Sequence, residues 1–189
     1  MRILILFLLF FSTNLLSDDI SNFEIEGISI GESALDYFSE YEIINNEMTN
    51  YPQGKFYVSL FYDSNFKNYE AVEIYLKKND KNFLIHAIKG GIFYKNNIEK
   101  CLEKKRAIVE DIENIFNITF FTGSLKHEFD TTGQSMNYQS YYVFDDRSNI
   151  RVECYDWSSN IEKEYGWGDN LSVALISSDV QKWIDNGYD

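Results

Sequence analysis

One long amphipathic segment constrains the fold of this chain more than any other feature of the sequence. Residues 97–116 carry apolar side chains at helical spacing along one stripe, and charged residues fill most of the other positions. The stripe consists of Ile98, Cys101, Leu102, Ile108, Val109, Ile112, Ile115 and Phe116. Such a helix needs an apolar surface to cover. We therefore expect the segments on either side to supply a sheet with one apolar face.

Short segments with strand-like patterns, separated by turns, occupy both sides of this helix. The predicted strands are 25–30, 55–62, 71–76, 83–94, 118–129 with a break at Gly123, 141–144, 150–157 and 171–176. Strands joined by short turns pair antiparallel. Gly90 and Gly91 predict a bulge in the fourth strand. The sequence thus predicts an α+β fold. About seven to nine strands form one or more antiparallel sheets, and two main helices cover them.

Two further helices are predicted from capping residues. Ser33, with Asp36 three residues later, predicts the start of a helix that reaches Ile44. The sequence Ser177-Ser178-Asp179 caps a short C-terminal helix, in which Val180 and Trp183 face inward. With the 97–116 helix, the first of these makes the two main helices of the predicted fold.

The N-terminus has the order of a secretory signal peptide. Arg2 precedes an unbroken apolar run from Ile3 to Phe11, and Ser17 precedes the acidic pair Asp18-Asp19. The run is shorter than the roughly 20 apolar residues of a stable membrane span. We predict a signal peptide at 1–17 and one α+β domain at 18–189, with halves at 18–95 and 96–189. The predicted localisation is periplasmic or extracellular, with no membrane span after cleavage.

The charge of the chain argues against polyanionic partners. The formal net charge is −13, and removal of 1–17 leaves 16 basic against 30 acidic residues. The densest basic run, 100–106, is interleaved with glutamates and is typical of the solvated face of a helix. Nucleic acid and anionic membrane surfaces would repel such a chain.

The two cysteines predict a disulfide. Cys101 lies on the apolar stripe of the long helix, and Cys154 is in phase with Ile150 and Val152 on one strand face. Both side chains point to the same interface if that helix covers that strand. An even cysteine count in an exported chain favours a bond. Two buried free thiols are the alternative.

No catalytic or cofactor motif is present in the sequence. His127 begins His-Glu-Phe-Asp, but a zinc-binding HExxH helix would need histidine where Thr131 stands. A metal site made by His127, Glu128 and Asp130 is an alternative to a polar strand end. The sequence implies no metal and no cofactor, and it favours a non-catalytic protein.

Four aromatic residues near the C-terminus are candidate contact residues. Tyr155, Trp157, Tyr165 and Trp167 flank a polar loop, and Gly166 and Gly168 alternate with the last of them. Exposed tryptophan and tyrosine are favoured at binding surfaces. The alternative is that these rings complete the core at the edge of the sheet.

A family resemblance rests on the sequence Ile28-Ser29-Ile30-Gly31-Glu32-Ser33 before a predicted helix. This strand, glycine and helix opening resembles outer-membrane-assembly lipoproteins of the SmpA/OmlA type and the tandem repeats of β-lactamase-inhibitory proteins. The resemblance implies helix-on-sheet units that bind other proteins outside the cytoplasm. This chain lacks the N-terminal lipoprotein cysteine, and the resemblance assigns no functional residue.

Three functions are therefore compared. The sequence favours an exported, non-catalytic protein that acts as a binding module for an envelope or secreted protein. A carrier of a small apolar ligand, held between helix and sheet, is the first alternative. A hydrolase that uses His127 and nearby carboxylates is the second.

Overall fold

The computed structural model describes residues 19–49, 54–95, 97–115 and 119–188. Within these ranges the chain forms nine strands and four α-helices. The strands are β1 (Glu24–Ile25), β2 (Ile28–Ser29), β3 (Phe56–Phe61), β4 (Ala71–Lys77), β5 (Ile85–Phe93), β6 (Thr119–Lys126), β7 (Met136–Val143), β8 (Asn149–Asp156) and β9 (Asn170–Ile176). The helices are α1 (Glu40–Asn45), α2 (Ile98–Ile115), α3 (Ser159–Tyr165) and α4 (Ser178–Asp185). The predicted signal peptide at 1–17 lies outside the described residues.

Seven of the strands form one antiparallel sheet in the order β3-β4-β5-β9-β8-β7-β6. Two meanders of three strands, β3–β5 and β6–β8, flank β9, which pairs antiparallel with β5 on one side and β8 on the other. Strands β1 and β2 form a separate hairpin. The α+β class and the antiparallel sheet were predicted correctly.

One face of the sheet, called here the α2 face, holds the main core. Alternate residues of the central strands, among them Val152, Leu171 and Val173, point to this face and are buried. Helix α2 packs on β8 and β9, while β1 and β2 contact β5. A disulfide joins Cys101 of α2 to Cys154 of β8, with a Cα–Cα distance of 6.0 Å. The predicted pairing is thus confirmed.

The opposite face, called here the open face, is covered at one end by α4. Val180 and Trp183 are buried as predicted, and they pack on Phe56, Ala87 and Ile176. Ser177 caps α4 by accepting a hydrogen bond from the backbone N–H of Val180. Over β8 this face carries the polar residues Arg151 and Glu153. Among the described residues, no helix is long and apolar enough to cross a membrane.

The helix predicted from Ser33 to Ile44 is wrong in its extent. Ser33 caps only a 3-10 turn at Ala34–Asp36, and a new helix begins after Ser39. Ser39 and Glu42 form a capping box, so the local hydrogen bonds favour a restart at this point. Tyr41, within the predicted helix, is 78% exposed. The helix α1 is therefore not a main cover of the sheet.

Several strand boundaries also differ from the prediction. The segment 25–30 is a tight hairpin, because Glu26 and Gly27 adopt positive φ between β1 and β2. Gly90 and Gly91 pair regularly with β4 and β9, and the irregular register lies instead beside Leu76. Close packing explains Gly90, since a Cβ there would lie 2.5 Å from the ring of Tyr69. The prediction missed α3 and most of β7.

Candidate functional site

The four candidate aromatic residues converge on one surface at an end of the open face. They are joined there by two rings from the segment after β6, and the six together are called the aromatic cluster: His127, Phe129, Tyr155, Trp157, Tyr165 and Trp167. The structure thus brings together all four residues that the sequence singled out. Sequence patterns did not link the other two to them, because the pairing of β6 with β7 and of β7 with β8 creates that proximity.

The rings of the cluster form a continuous chain of contacts. Tyr155 and Trp157 stack nearly parallel with centroids 5.6 Å apart, and His127 lies 4.6 Å from Trp157. Trp167 lies 5.0 Å from Trp157 and 4.9 Å from Phe129. Centroid distances of 4.5–7 Å are typical of favourable aromatic pairs. The cluster is consequently a preorganised surface rather than a set of independent side chains.

Local structure explains how the C-terminal rings meet. Tyr155 and Trp157 are two residues apart and therefore point to the same side of β8 and its extension. The backbone N–H of Trp157 donates to Asp169 Oδ1 at 3.0 Å, which ties the two ends of the intervening segment together. Helix α3 ends at Gly166 with φ of 73°, a conformation that glycine adopts without strain. This turn directs Trp167 back onto Trp157.

A hydrogen-bonded loop positions the other two rings. The carboxylate of Asp130 accepts hydrogen bonds from the backbone N–H and hydroxyl groups of both Thr132 and Ser135, at 2.6–2.9 Å. The hydrogen bonds from Thr132 and then Ser135 hold the pKa of Asp130 well below its usual value. This carboxylate fixes the loop between His127 and β7. It is therefore structural rather than directed toward the imidazole.

Within the described ranges, His127 does not belong to a group of side chains that could hold a metal ion. Among the residues that the structure describes, no group of three or more His, Cys, Asp or Glu side chains is placed to hold a metal ion. The Nδ1 atom of His127 accepts a hydrogen bond from the backbone N–H of Phe129 at 3.3 Å. Its ring contacts the rings of both Tyr155 and Trp157. The metal site of His127, Glu128 and Asp130 is thus wrong.

The outer part of the cluster is exposed, and the segments that carry it are rich in acidic residues. Tyr165 is 46% exposed and Phe129 is 45% exposed. Residues 127–130 and 155–169 contain six acidic residues and one lysine, and of the six only Asp130 and Asp169 are buried. The hydrogen bond to Glu164 raises the pKa of Tyr165. A cationic group would be attracted to such a surface both by cation–π interaction with the rings and by Coulomb attraction to the acidic side chains.

A polar pocket adjoins the cluster on the same face of the sheet. Its volume is about 180 Å³, and its walls include Lys89, Arg151, Glu153, Tyr155 and Ser172, with apolar atoms of Ile176, Ile184 and Tyr188. Tyr155 belongs to both sites. Burial raises the pKa of Tyr155, so its hydroxyl stays protonated and donates to Glu153 Oε2 at 3.0 Å.

The sequence held a signal for this pocket that the prediction did not use. On β8, the core residues Ile150, Val152 and Cys154 alternate with Arg151 and Glu153. Charged residues in phase on the second face of a central strand indicate that this face is not covered by apolar packing.

His127 gives the cluster a predictable pH dependence. Burial lowers its pKa below the usual value, which favours the neutral imidazole in the folded protein. The unfolded chain, with a histidine pKa of about 6.5, then binds the proton more readily. Stability contributed by neutral His127 is present above about pH 6.5 and is lost as the pH falls through the lowered pKa.

We therefore expect a smaller acid-side loss of stability after His127→Phe. The measurement is the thermal midpoint of both proteins from pH 7.5 to pH 5, because the difference between them cancels titration of the carboxylates. Thermal midpoints that fall by the same amount in both proteins between pH 7.5 and pH 5 would contradict this assignment.

Comparison of the chain with family models, with curated proteins and with solved structures finds no match. The resemblance to SmpA/OmlA-type lipoproteins and β-lactamase-inhibitory proteins therefore stays a prediction.

Proposed function

We propose that this chain is a non-catalytic, extracytoplasmic binding module that contacts a basic segment of an envelope or secreted protein through the aromatic cluster. The observation that carries the proposal is the convergence of six rings, of which Phe129 and Tyr165 are almost half exposed, on segments rich in acidic residues. Tryptophan and tyrosine supply large contact areas with little loss of side-chain entropy. Lysine or arginine on the partner would gain cation–π and Coulomb attraction here.

Neighbouring apolar side chains extend this surface along the edge strand β6. Phe121 and Leu125 point to the open face and are 59% and 44% exposed. Leu125 pairs with Asn137, which pairs with Tyr155, so the row leads to the cluster. Contiguous exposed apolar area is typical of interaction sites.

The two alternatives receive less support. The α2–sheet interface, where an apolar ligand would be held, is crossed by the Cys101–Cys154 disulfide and filled by buried side chains such as Ile112 and Val152. The hydrolase alternative needs a histidine with convergent carboxylates, but Asp130 is already bound by its own loop.

The double substitution Tyr165→Ala with Trp167→Ala tests the proposal. Tyr165 is exposed and Trp167 is partly exposed, and neither belongs to a strand of the sheet. We therefore expect the protein to fold and its binding to a captured partner to weaken at least about tenfold. The tagged mature protein would be cross-linked in its native envelope, the partner identified by mass spectrometry, and affinity then measured with purified proteins. Binding should weaken with added salt.

Tyr41→Ala provides the matched control. Tyr41 is 78% exposed and lies on α1, away from the cluster. The substitution should leave the affinity for the partner unchanged. Equal affinity of the double variant and the original protein, or a partner that contacts the cluster without basic residues, would refute the proposal.

A further inference from the structure

We propose that the pocket on the open face binds a small zwitterion of the α-amino acid class, with its carboxylate toward Arg151 and its ammonium group toward Glu153. This site is separate from the protein-binding surface proposed above, although Tyr155 lies at the boundary between them. The inference goes beyond that function and stands on the charges, the unsatisfied hydroxyl and the size of the pocket.

The charges on the pocket wall are not all neutralised by one another. Lys89 and Glu73 form an ion pair at 3.1 Å. Within the described part of the chain, Arg151 and Glu153 form no ion pair with each other or with any other residue. Buried charges are unfavourable unless they are paired. One cation and one anion thus remain for a ligand that carries both signs.

Neutral neighbours hold these two side chains in place. Arg151 lies over the ring of Tyr141 at 4.7 Å and donates from Nη2 to Gln181 Oε1 at 2.6 Å. Glu153 is 7% exposed and accepts from Asn137 Nδ2 at 2.9 Å and from the hydroxyl of Tyr155. These contacts orient the charged groups without removing their charge. A preorganised site of this kind loses little entropy on binding.

Both charged residues, Arg151 and Glu153, lie on one face of β8 and line the same pocket. An α-amino acid carries its carboxylate and its ammonium group on one carbon atom, so a single small ligand in this pocket presents both charges to its walls.

A buried hydroxyl provides the independent evidence that the pocket is built for a ligand. Ser172, on the central strand β9, lines the pocket, is 1% exposed, and its Oγ has no hydrogen-bond partner among the described residues. It pairs directly with Glu153 on β8 and with Gly91 on β5, which has no side chain to fill this space. An unsatisfied buried hydroxyl is costly, and a polar ligand would satisfy it.

The dimensions limit the ligand to a small molecule with an apolar side chain. A volume of about 180 Å³ equals about six molecules of liquid water. Ile176, Ile184 and Tyr188 supply apolar atoms to the same lining. In the proposed complex, a branched aliphatic amino acid presents its charged groups to Arg151 and Glu153 and its hydrocarbon to these apolar atoms.

The test is isothermal titration of the purified protein with each of the twenty amino acids. We expect binding by an aliphatic member such as L-leucine or L-valine. The singly charged analogues 4-methylpentanoate and isoamylamine should bind at least about tenfold more weakly, because each leaves one charge of the pocket unpaired. No binding of any amino acid at millimolar concentration, or equal binding of a singly charged analogue, would overturn the proposal.

Single substitutions test whether amino acid binding depends on the residues of the pocket. Glu153→Gln keeps the shape of the side chain and should weaken binding about tenfold or more, and Ser172→Ala should weaken it severalfold. Glu103→Gln, an exposed change on α2, is the charge-matched control and should have no effect. Arg151 also contacts α4 through Gln181, so its loss could disturb the fold. The affinity of Arg151→Gln is therefore interpreted only if its circular dichroism spectrum matches that of the original protein. Affinity unchanged in Glu153→Gln would refute the assignment of the ammonium site.

The double variant Tyr165→Ala with Trp167→Ala distinguishes the two proposals. It should lose the protein partner and keep amino acid binding. Loss of both ligands would show that the pocket and the cluster form one site, which contradicts the separate pocket proposed here.

Discussion

Replacing Cys101 and Cys154 together with alanine should lower the free energy of unfolding by about 4 kcal/mol. The disulfide closes a loop across a sequence separation of 53 residues, and restriction of the unfolded chain by a loop of that length gives this magnitude. Both cysteines are fully buried, so the small alanine side chain avoids adding a polar group to the core. Urea denaturation of the two proteins measures the difference.

Reductant provides the control for this prediction. Dithiothreitol should destabilise the original protein to a similar degree and leave the double variant unchanged, because the variant has no bond to break. A difference below about 1 kcal/mol between the oxidised protein and the double variant would show that the cross-link contributes little.

Trp183→Ala should destabilise the protein by about 3–5 kcal/mol, the range for removal of a large buried aromatic side chain. Trp183 is 2% exposed, and its ring lies 5.5 Å from Phe56 and 4.9 Å from Tyr188. It provides most of the apolar surface that holds α4 against the open face. Thermal and urea denaturation both report the effect.

Lys182→Ala is the neighbouring control in the same helix. Lys182 is exposed, so its replacement should change stability by no more than about 0.5 kcal/mol. If Trp183→Ala had an equally small effect, α4 would not be anchored by that ring. The open face would then be largely unprotected.

Features with strong local periodicity were predictable from the sequence. The stripe of α2 and the alternation of Ile150, Val152 and Cys154 placed both cysteines on one interface, and the disulfide follows from that geometry. The cap and the buried residues of α4 were also correct, because a serine N-cap and two apolar positions are short-range signals.

Features that depend on competition between local signals were not predictable. Ser33 and Ser39 are both good N-caps, and only the capping box with Glu42 shows why the α-helix begins at the second. Lys105 lies within the predicted helix but is buried, where its ammonium group donates to Ser140 Oγ at 2.6 Å. Its position depends on β7, a strand that the sequence pattern only partly revealed.

The candidate sites depend on long-range pairing. The sequence identified Tyr155, Trp157, Tyr165 and Trp167 because they are close in the chain. Phe129 joins them through the meander of β6, β7 and β8. The pocket requires β5, β8 and β9 side by side, which no local pattern specifies.

The central place of β9 has a consequence for the order in which the chain can fold. Strand β9, at residues 170–176, is the last strand in the sequence, but it lies between the two meanders in the sheet. Strands β5 and β8 therefore cannot pair with β9 until the ribosome has synthesised almost all of the described chain. Pairings between distant segments are slow to form. During synthesis, the nascent chain would therefore remain without its complete sheet. Such delayed folding is compatible with the export proposed above, in which the polypeptide would pass through a narrow translocation channel before it folds.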